Sequence, residues 1–263
     1  MTQPTGYGLR VSMISSESPL KRIPRNLGIK DAFYLDGLRH AAEICDVAFK
    51  RLTSNLRDTV QKQEENLILS SFSSVFLDAW AFVDSADRFR CLQNMREKHL
   101  QKNSRTKLPT LNLNEVLRDI STIRNVSAHI AERADHVISI NGAALGSLSW
   151  VTMTSESPMK AKTCIIRPGY INGEFKSHLP MPAGEHIFVN SCTSVRLHAG
   201  NGRASLSNTY FSLARSIIAI ETELSADFAR NDYGSPCHSD VFASAELDFS
   251  GLDNANSSHA TEP

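Results

Sequence analysis

Arg124, Asn125 and His129 stand close together in the chain, and their side chains are of the types that grip an anionic oxygen and exchange a proton near neutral pH. The surrounding Leu113, Val116, Leu117, Ile120, Ile123 and Ile130 recur at three- and four-residue intervals with no Gly or Pro among them. That spacing predicts a helix with one buried stripe. At about 100° per residue, Asn125 and His129 lie almost above one another on the flank away from the stripe, where they can touch one ligand. Arg124 projects close to the directions of Leu113, Leu117 and Ile120, inside the apolar arc, where a guanidinium is costly unless paired. Arg124 and His129 are also roughly 140° apart around the axis. One straight helix therefore does not aim both at one atom. Either the helix is distorted, or the Arg side chain wraps round it, or a second copy of the chain completes the site.

Arg-Asn-x-x-x-His near the end of a helical bundle, here Arg124, Asn125 and His129, resembles the signature of the HEPN superfamily. The resemblance covers roughly residues 31–135. It implies a small helical bundle that pairs into a homodimer and, in catalytic members, a metal-independent endoribonuclease site built by the Arg and His across the dimer. In that case His129 acts as general base or acid on a ribose 2′-hydroxyl, Arg124 stabilises the charge developing on the phosphorane, and Asn125 orients a phosphate oxygen or the imidazole. No metal and no cofactor are implied. The alternative is a non-catalytic, dimer-forming interaction domain in which the same three residues are a structural polar network. A toxin or defence module, a frequent setting of catalytic members, is a third reading.

The elements that must position these residues divide the chain. From Leu38 to Leu108 there is no Gly or Pro, whereas seven glycines fall between Gly142 and Gly202. This predicts an α+β protein: an N-terminal antiparallel helical bundle, then a small antiparallel β-sheet and a further helix. The expected segments are an extended arm over 1–30, the bundle over 31–135, the sheet and helix over 136–232, and an acidic, disordered tail over 233–263, where no Lys or Arg occurs.

Within the bundle, a first helix over 31–60 is expected to start at an Asp31 cap and to bury Phe33, Leu38, Ala41, Ala42, Cys45, Phe49, Leu52 and Leu56. A second follows through Leu67, Phe72, Val75, Phe76, Ala79, Phe82, Val83, Ala86, Phe89 and Leu92, antiparallel to the first. On it Asp84 either orients Arg124 or His129 from the neighbouring helix or pairs with Arg88 one turn on. The basic stretch 96–107 reads as a loop that could gather phosphates or simply face solvent. Strands are expected over 136–140, 147–153, 163–167 and 187–190, with a hairpin about Asn201-Gly202. A final helix over 210–228 should be capped by Ser207 or Asn208.

The 263 residues suffice for a core of useful size, and hydrophobic and charged fractions of 41% and 21% are ordinary globular values. Lys plus Arg equals Asp plus Glu, 28 each, so no general field draws the protein to RNA or to a membrane, and any anion site is local. No apolar run approaches the roughly 20 residues that span a bilayer, and the first residues lack a signal core. A cytoplasmic protein with no membrane partner is the expectation. The spacing of His178, His186, Cys192 and His198 is poor for zinc, and five scattered cysteines suit reduced thiols.

Overall fold

A computed structural model describes residues 12–65, 72–95, 113–140, 142–169, 192–237 and 240–246. Helix α1 (Ile29–Glu64) and helix α2 (Ser73–Met95) run antiparallel: Gly37 faces Leu92, Phe49 meets Phe82, and Asn55 reaches Asp78. Their shared face is a stripe of Leu, Ala and Phe at helical spacing, all buried. Gly37 lets the two backbones approach, because a Cβ there would sit 3.0 Å from Leu92 Cδ1. Two details differ from the expectation. Gly28, not Asp31, precedes the helix; Asp31 sits inside the first turn, where a carboxylate complements the positive helix end. Phe33 is 66% exposed, because it projects outside the arc of buried residues centred near Leu38, Cys45 and Leu52.

Two short helices follow, α3 (Leu113–Val116) and α4 (Arg118–Ala128), then α5 (Ala134–Ser139). The strand expected over 136–140 is α5 instead. Val137 N–H bonds back to Arg133 O at 2.9 Å, and only Val137 is buried while Ile138 is 72% exposed. β-branched content pointed to a strand, but the alternation in burial that a strand needs is missing.

The sheet is antiparallel with strand order β2-β1-β3-β4, formed by β1 (Ser147–Glu156), β2 (Met159–Ile166), β3 (Cys192–Ala199) and β4 (Gly202–Ser205). Strands 147–153 and 163–167 thus fall in β1 and, up to Ile166, in β2; Leu67, the strand expected over 187–190 and the basic stretch 96–107 lie outside the described residues. The β3–β4 hairpin turns on Gly200-Asn201, since Ala199 pairs with Gly202. Gly200 has φ +53° and takes the first central position, as a type II′ turn requires. Helix α6 (Leu206–Arg230) starts directly after β4, and Ser205 accepts from Asn208 N as its cap, in place of Ser207 or Asn208. Ser207 accepts instead from Val195 N.

The helical half and the strand half share one core. A single hydrophobic cluster runs from Leu35 and Phe82 through Ile123 to Leu148, Trp150, Leu197 and Leu213. At its centre the Phe49 and Tyr210 rings stack 4.3 Å apart, and Tyr210 Oη donates to Asp46 Oδ1 at 2.7 Å. Burial, then the Asp46 carboxylate, pushes the phenol pKa upward, so the hydroxyl stays a donor.

The described parts of the arm and of the segment after α6 are built into this body. Met13, Ile14, Leu20, Ile23 and Leu27 of the arm are buried, with a 3-10 turn at Pro19–Lys21 capped by Ser18. The tail is not separate from the start of residue 233 onward: Tyr233 is buried, Pro236 bridges to Pro24, and Cys237 N–H bonds to Ile23 O at 2.9 Å. The arm's backbone groups need partners, and this stretch supplies them. Residues 247–263 lie outside the described residues.

Removing the Tyr210 hydroxyl tests the joint between the two halves. Tyr210→Phe is expected to lower stability by about 1.5–3 kcal/mol, the range for a hydrogen bond to a charged group, read from urea unfolding as a single transition. A variant as stable as the parent would mean that the bond to Asp46 does not bear on folding.

Candidate functional site

Helix α4 is wedged between α2 on one flank and the β3–β4 hairpin on the other. Ile120, Ile123 and Val126 form its buried stripe. Gly202 sits against it so closely that a Cβ there would lie 2.9 Å from Ile123 Cγ2, and one at Gly200 would lie 3.1 Å from Val126 Cγ1. The long helix expected from 113 to 130 is therefore broken. Leu117, fully buried, interrupts it between α3 and α4, and His129 terminates it as the C-cap, its N–H bonded to Asn125 O at 3.3 Å.

Arg124 stands at the edge of the buried arc rather than inside it, with 47% of its side chain exposed. It faces α2. Its Nε lies 3.7 Å from Asp84 Oδ1 and 3.7 Å from Asp87 Oδ2, close enough for Coulomb attraction and too long for a hydrogen bond. Asp84 thus turns to Arg124, and the Asp84–Arg88 pair allowed by the same spacing is not formed. Asp87 was not singled out by sequence, although its position three residues after Asp84 puts it on an adjoining part of the same face. It is buried to 8% exposure and held by Arg90 at 2.7 Å.

His129 is half exposed and faces away from Arg124. Its Nδ1 lies 3.2 Å from Glu132 Oε2. Asn125 is exposed between them, and its side chain makes no hydrogen bond with a described residue. So the chain brings Arg124 together with Asp84 and Asp87, and His129 with Glu132, but does not bring Arg124 and His129 together. Of the three routes open from the sequence, the break at Leu117 and the helix end at His129 do not bring the two groups together, and the Arg side chain is turned to α2 instead of wrapping toward His129. On α5, His136 Nε2 lies 2.9 Å from Asn201 Nδ2 in the hairpin turn, a contact between segments too distant in the chain to be read from spacing.

Elsewhere, two surface clefts lie between the arm and the end of α6, and between the end of α1 and β1; neither touches α4. Among the described residues, Asp36, His40 and Asp240 offer ligand atoms within 4.8 Å of one another. Arg39 already occupies them, with Nη2 2.7 Å from Asp240 Oδ1, 3.0 Å from Asp36 Oδ1 and 2.7 Å from His40 Nε2. Of the four zinc-type residues weighed from sequence, His178 and His186 lie outside the described residues. Burial pushes the Cys192 thiol up to about 12 and the Cys45 thiol higher still, so both are held as thiols, the less nucleophilic form.

Because Arg124, Asn125 and His129 are all solvent-facing and Arg124 makes only long ion pairs, little of the fold's stability hangs on them. Arg124→Ala and His129→Ala are each expected to change stability by less than about 1 kcal/mol, as for other exposed pairs, measured by urea unfolding. A loss above about 2 kcal/mol in either variant would identify the motif as part of the folding core.

No family model, no curated protein and no solved structure matches this chain.

Proposed function

We propose that two copies of the chain form a metal-independent endoribonuclease, with Arg124 of one copy acting beside His129 of the other. One observation carries this reading. The three motif residues face solvent on one short helix and bear little structural load, so a buried polar network does not account for their presence. A set of solvent-facing side chains, touched by neither of the two clefts described, becomes a closed site when a second surface is laid against it.

In this site His129 takes the proton from a ribose 2′-hydroxyl. The oxygen attacks the adjacent phosphorus, the bond from phosphorus to the 5′-oxygen breaks, and the leaving oxygen takes a proton from water, while His129 releases the proton it accepted to solvent. The products are a 2′,3′-cyclic phosphate and a 5′-hydroxyl. Arg124 faces the non-bridging oxygens as they gain charge. Glu132 positions the imidazole through Nδ1, Asp84 and Asp87 hold the guanidinium at its Nε edge, and Asn125 orients a phosphate oxygen.

A specific observation also favours a second reading, a non-catalytic domain that self-associates. Ile29, Phe33, Ile44 and Val47 of α1 fall within about 60° of one another around the axis, and all four are more than 40% exposed. Such an apolar stripe suits a partner surface.

The two readings separate in one assay. Purified protein incubated with single-stranded RNA in excess EDTA is expected to cleave it, and Arg124→Ala or His129→Ala to lose about 100-fold or more in rate, as for loss of a general base or a charge-stabilising donor. Intact RNA with a folded, dimeric wild-type protein would reject the enzyme and leave the self-associating domain.

A further inference from the structure

On the face of the sheet turned away from the core, the β3–β4 end carries two arginines, Arg196 and Arg203, while Val151, Met153 and Ile165 make the β1–β2 end apolar. Leu148, Trp150, Val195, Leu197, Ala199 and Ala204 point into the hydrophobic cluster, so the residues between them point the other way. Strand pairing then aligns two polar rungs on that outer face, Ser147–His198–Arg203 and Ser149–Arg196–Ser205. A bulge sets this register. Trp150 faces two residues of β3, Ser194 and Val195, and Ser194 adopts φ +51°.

The two rungs contain no Asp or Glu. Among the described residues neither Arg196 nor Arg203 makes a side-chain ion pair or hydrogen bond. Arg203 is exposed, and Arg196 and His198 are half-buried. Like charges placed this close on one sheet face repel, and a partly buried cation without a counter-charge is costly. Burial, then Arg203, then Arg196 lower the pKa of His198, which keeps its imidazole neutral and leaves Nε2 3.3 Å from Ser149 Oγ. Among the described residues this face therefore has two guanidinium groups without a counter-charge, with the exposed Arg203 and half-buried Arg196 and His198 at its surface and Ser149, 1% exposed, beneath them.

We propose that this face is a binding surface for the phosphodiester backbone of single-stranded RNA, with Arg196 and Arg203 gripping successive phosphates. The assignment rests on the reading of α4 as a ribonuclease and supplies its substrate contact. Arg203 is opposite His198 and Arg196 is opposite Ser205, so the two arginines are a diagonal pair on adjacent strands, about 7–8 Å apart, a span that successive phosphates of an extended strand can bridge. The surface also adjoins α4. Arg203 follows Gly202, whose Cα packs on Ile123 and Thr122, and Asn201 in the same turn contacts His136. An RNA strand lying along the rungs is directed over the hairpin toward Asn125 and His129. The protein's net charge of zero is no obstacle, because the arginines form a local field within a Debye length of about 10 Å.

The test separates binding from cleavage. A fluorescein-labelled 20-nucleotide oligouridylate with 2′-O-methyl riboses, which lacks the attacking hydroxyl, is titrated with the full-length protein at several salt concentrations and followed by anisotropy. Arg196→Ser/Arg203→Ser is expected to weaken binding about 10-fold or more and to reduce the salt slope by about 1.4, roughly 0.7 for each phosphate contact on a single strand. Arg196→Lys/Arg203→Lys should retain most of the affinity, and Arg215→Ser, on the exposed side of α6, should bind as the wild type does. A double serine variant that is folded by circular dichroism and keeps the parent's affinity and salt slope would overturn the proposal. So would retention of inorganic phosphate alone with no RNA bound. Wild-type binding that depends on both arginines without cleavage of ordinary RNA would uphold the sheet surface and reject the α4 enzyme; unchanged cleavage and KM in the double serine variant would do the reverse.

Discussion

The angle between successive side chains on an α-helix governs this molecule's candidate chemistry. Five residues separate Arg124 from His129, and that step places them on different flanks of α4. The fold accepts the separation. Asp84 and Asp87 of α2 draw Arg124 to one side, while the helix end at His129 and the neighbouring Glu132 fix the imidazole on the other. Asn125 stands on the crest between them. Whatever the site does, a ligand cannot be held by both charged groups of one copy in the way that a pair at four-residue spacing would allow.

The scaffold's main task is to hold α4 in this attitude. The α1/α2 hairpin offers the carboxylates, and the sheet offers the hairpin turn whose two glycines let its backbone lie against Ile123 and Val126. Helix α6 then closes the body by packing on β3 and stacking Tyr210 on Phe49. This explains why the helical and strand halves, distinct in composition, cannot be cut apart: α4 belongs to the first by sequence and leans on the second by contact. The same arrangement puts the arginine rungs of the sheet beside the helix that carries the motif.

Much of the architecture was legible from periodicity. The apolar spacing of α1 and α2, the break in Gly and Pro content and the strand-turn pattern near Gly200 gave the α+β order correctly, because those signals arise from burial of one face. What failed depended on tertiary contact. The segment around Val137 looks like a strand by residue type and becomes helix α5. The stretch from Tyr233 to Cys237 looks like the start of a solvated tail and instead completes the hydrogen bonding of the arm. Of the site, Arg124, Asn125, His129 and Asp84 could be named from spacing alone. Asp87, the His136–Asn201 contact and the Arg196/His198/Arg203 rungs could not, since each requires knowing which strand or helix lies beside which.

Shared residues between two copies are the central claim, and mixing defective copies tests it most directly. Arg124→Ala and His129→Ala proteins, each inactive alone, are combined under conditions that allow subunit exchange and assayed for RNA cleavage. Random exchange makes half of the dimers mixed, and each mixed dimer has one site with both Arg124 and His129, so about a quarter of wild-type activity should return. Activity that stays at the level of the separate variants after exchange has been verified would contradict a site built across two copies.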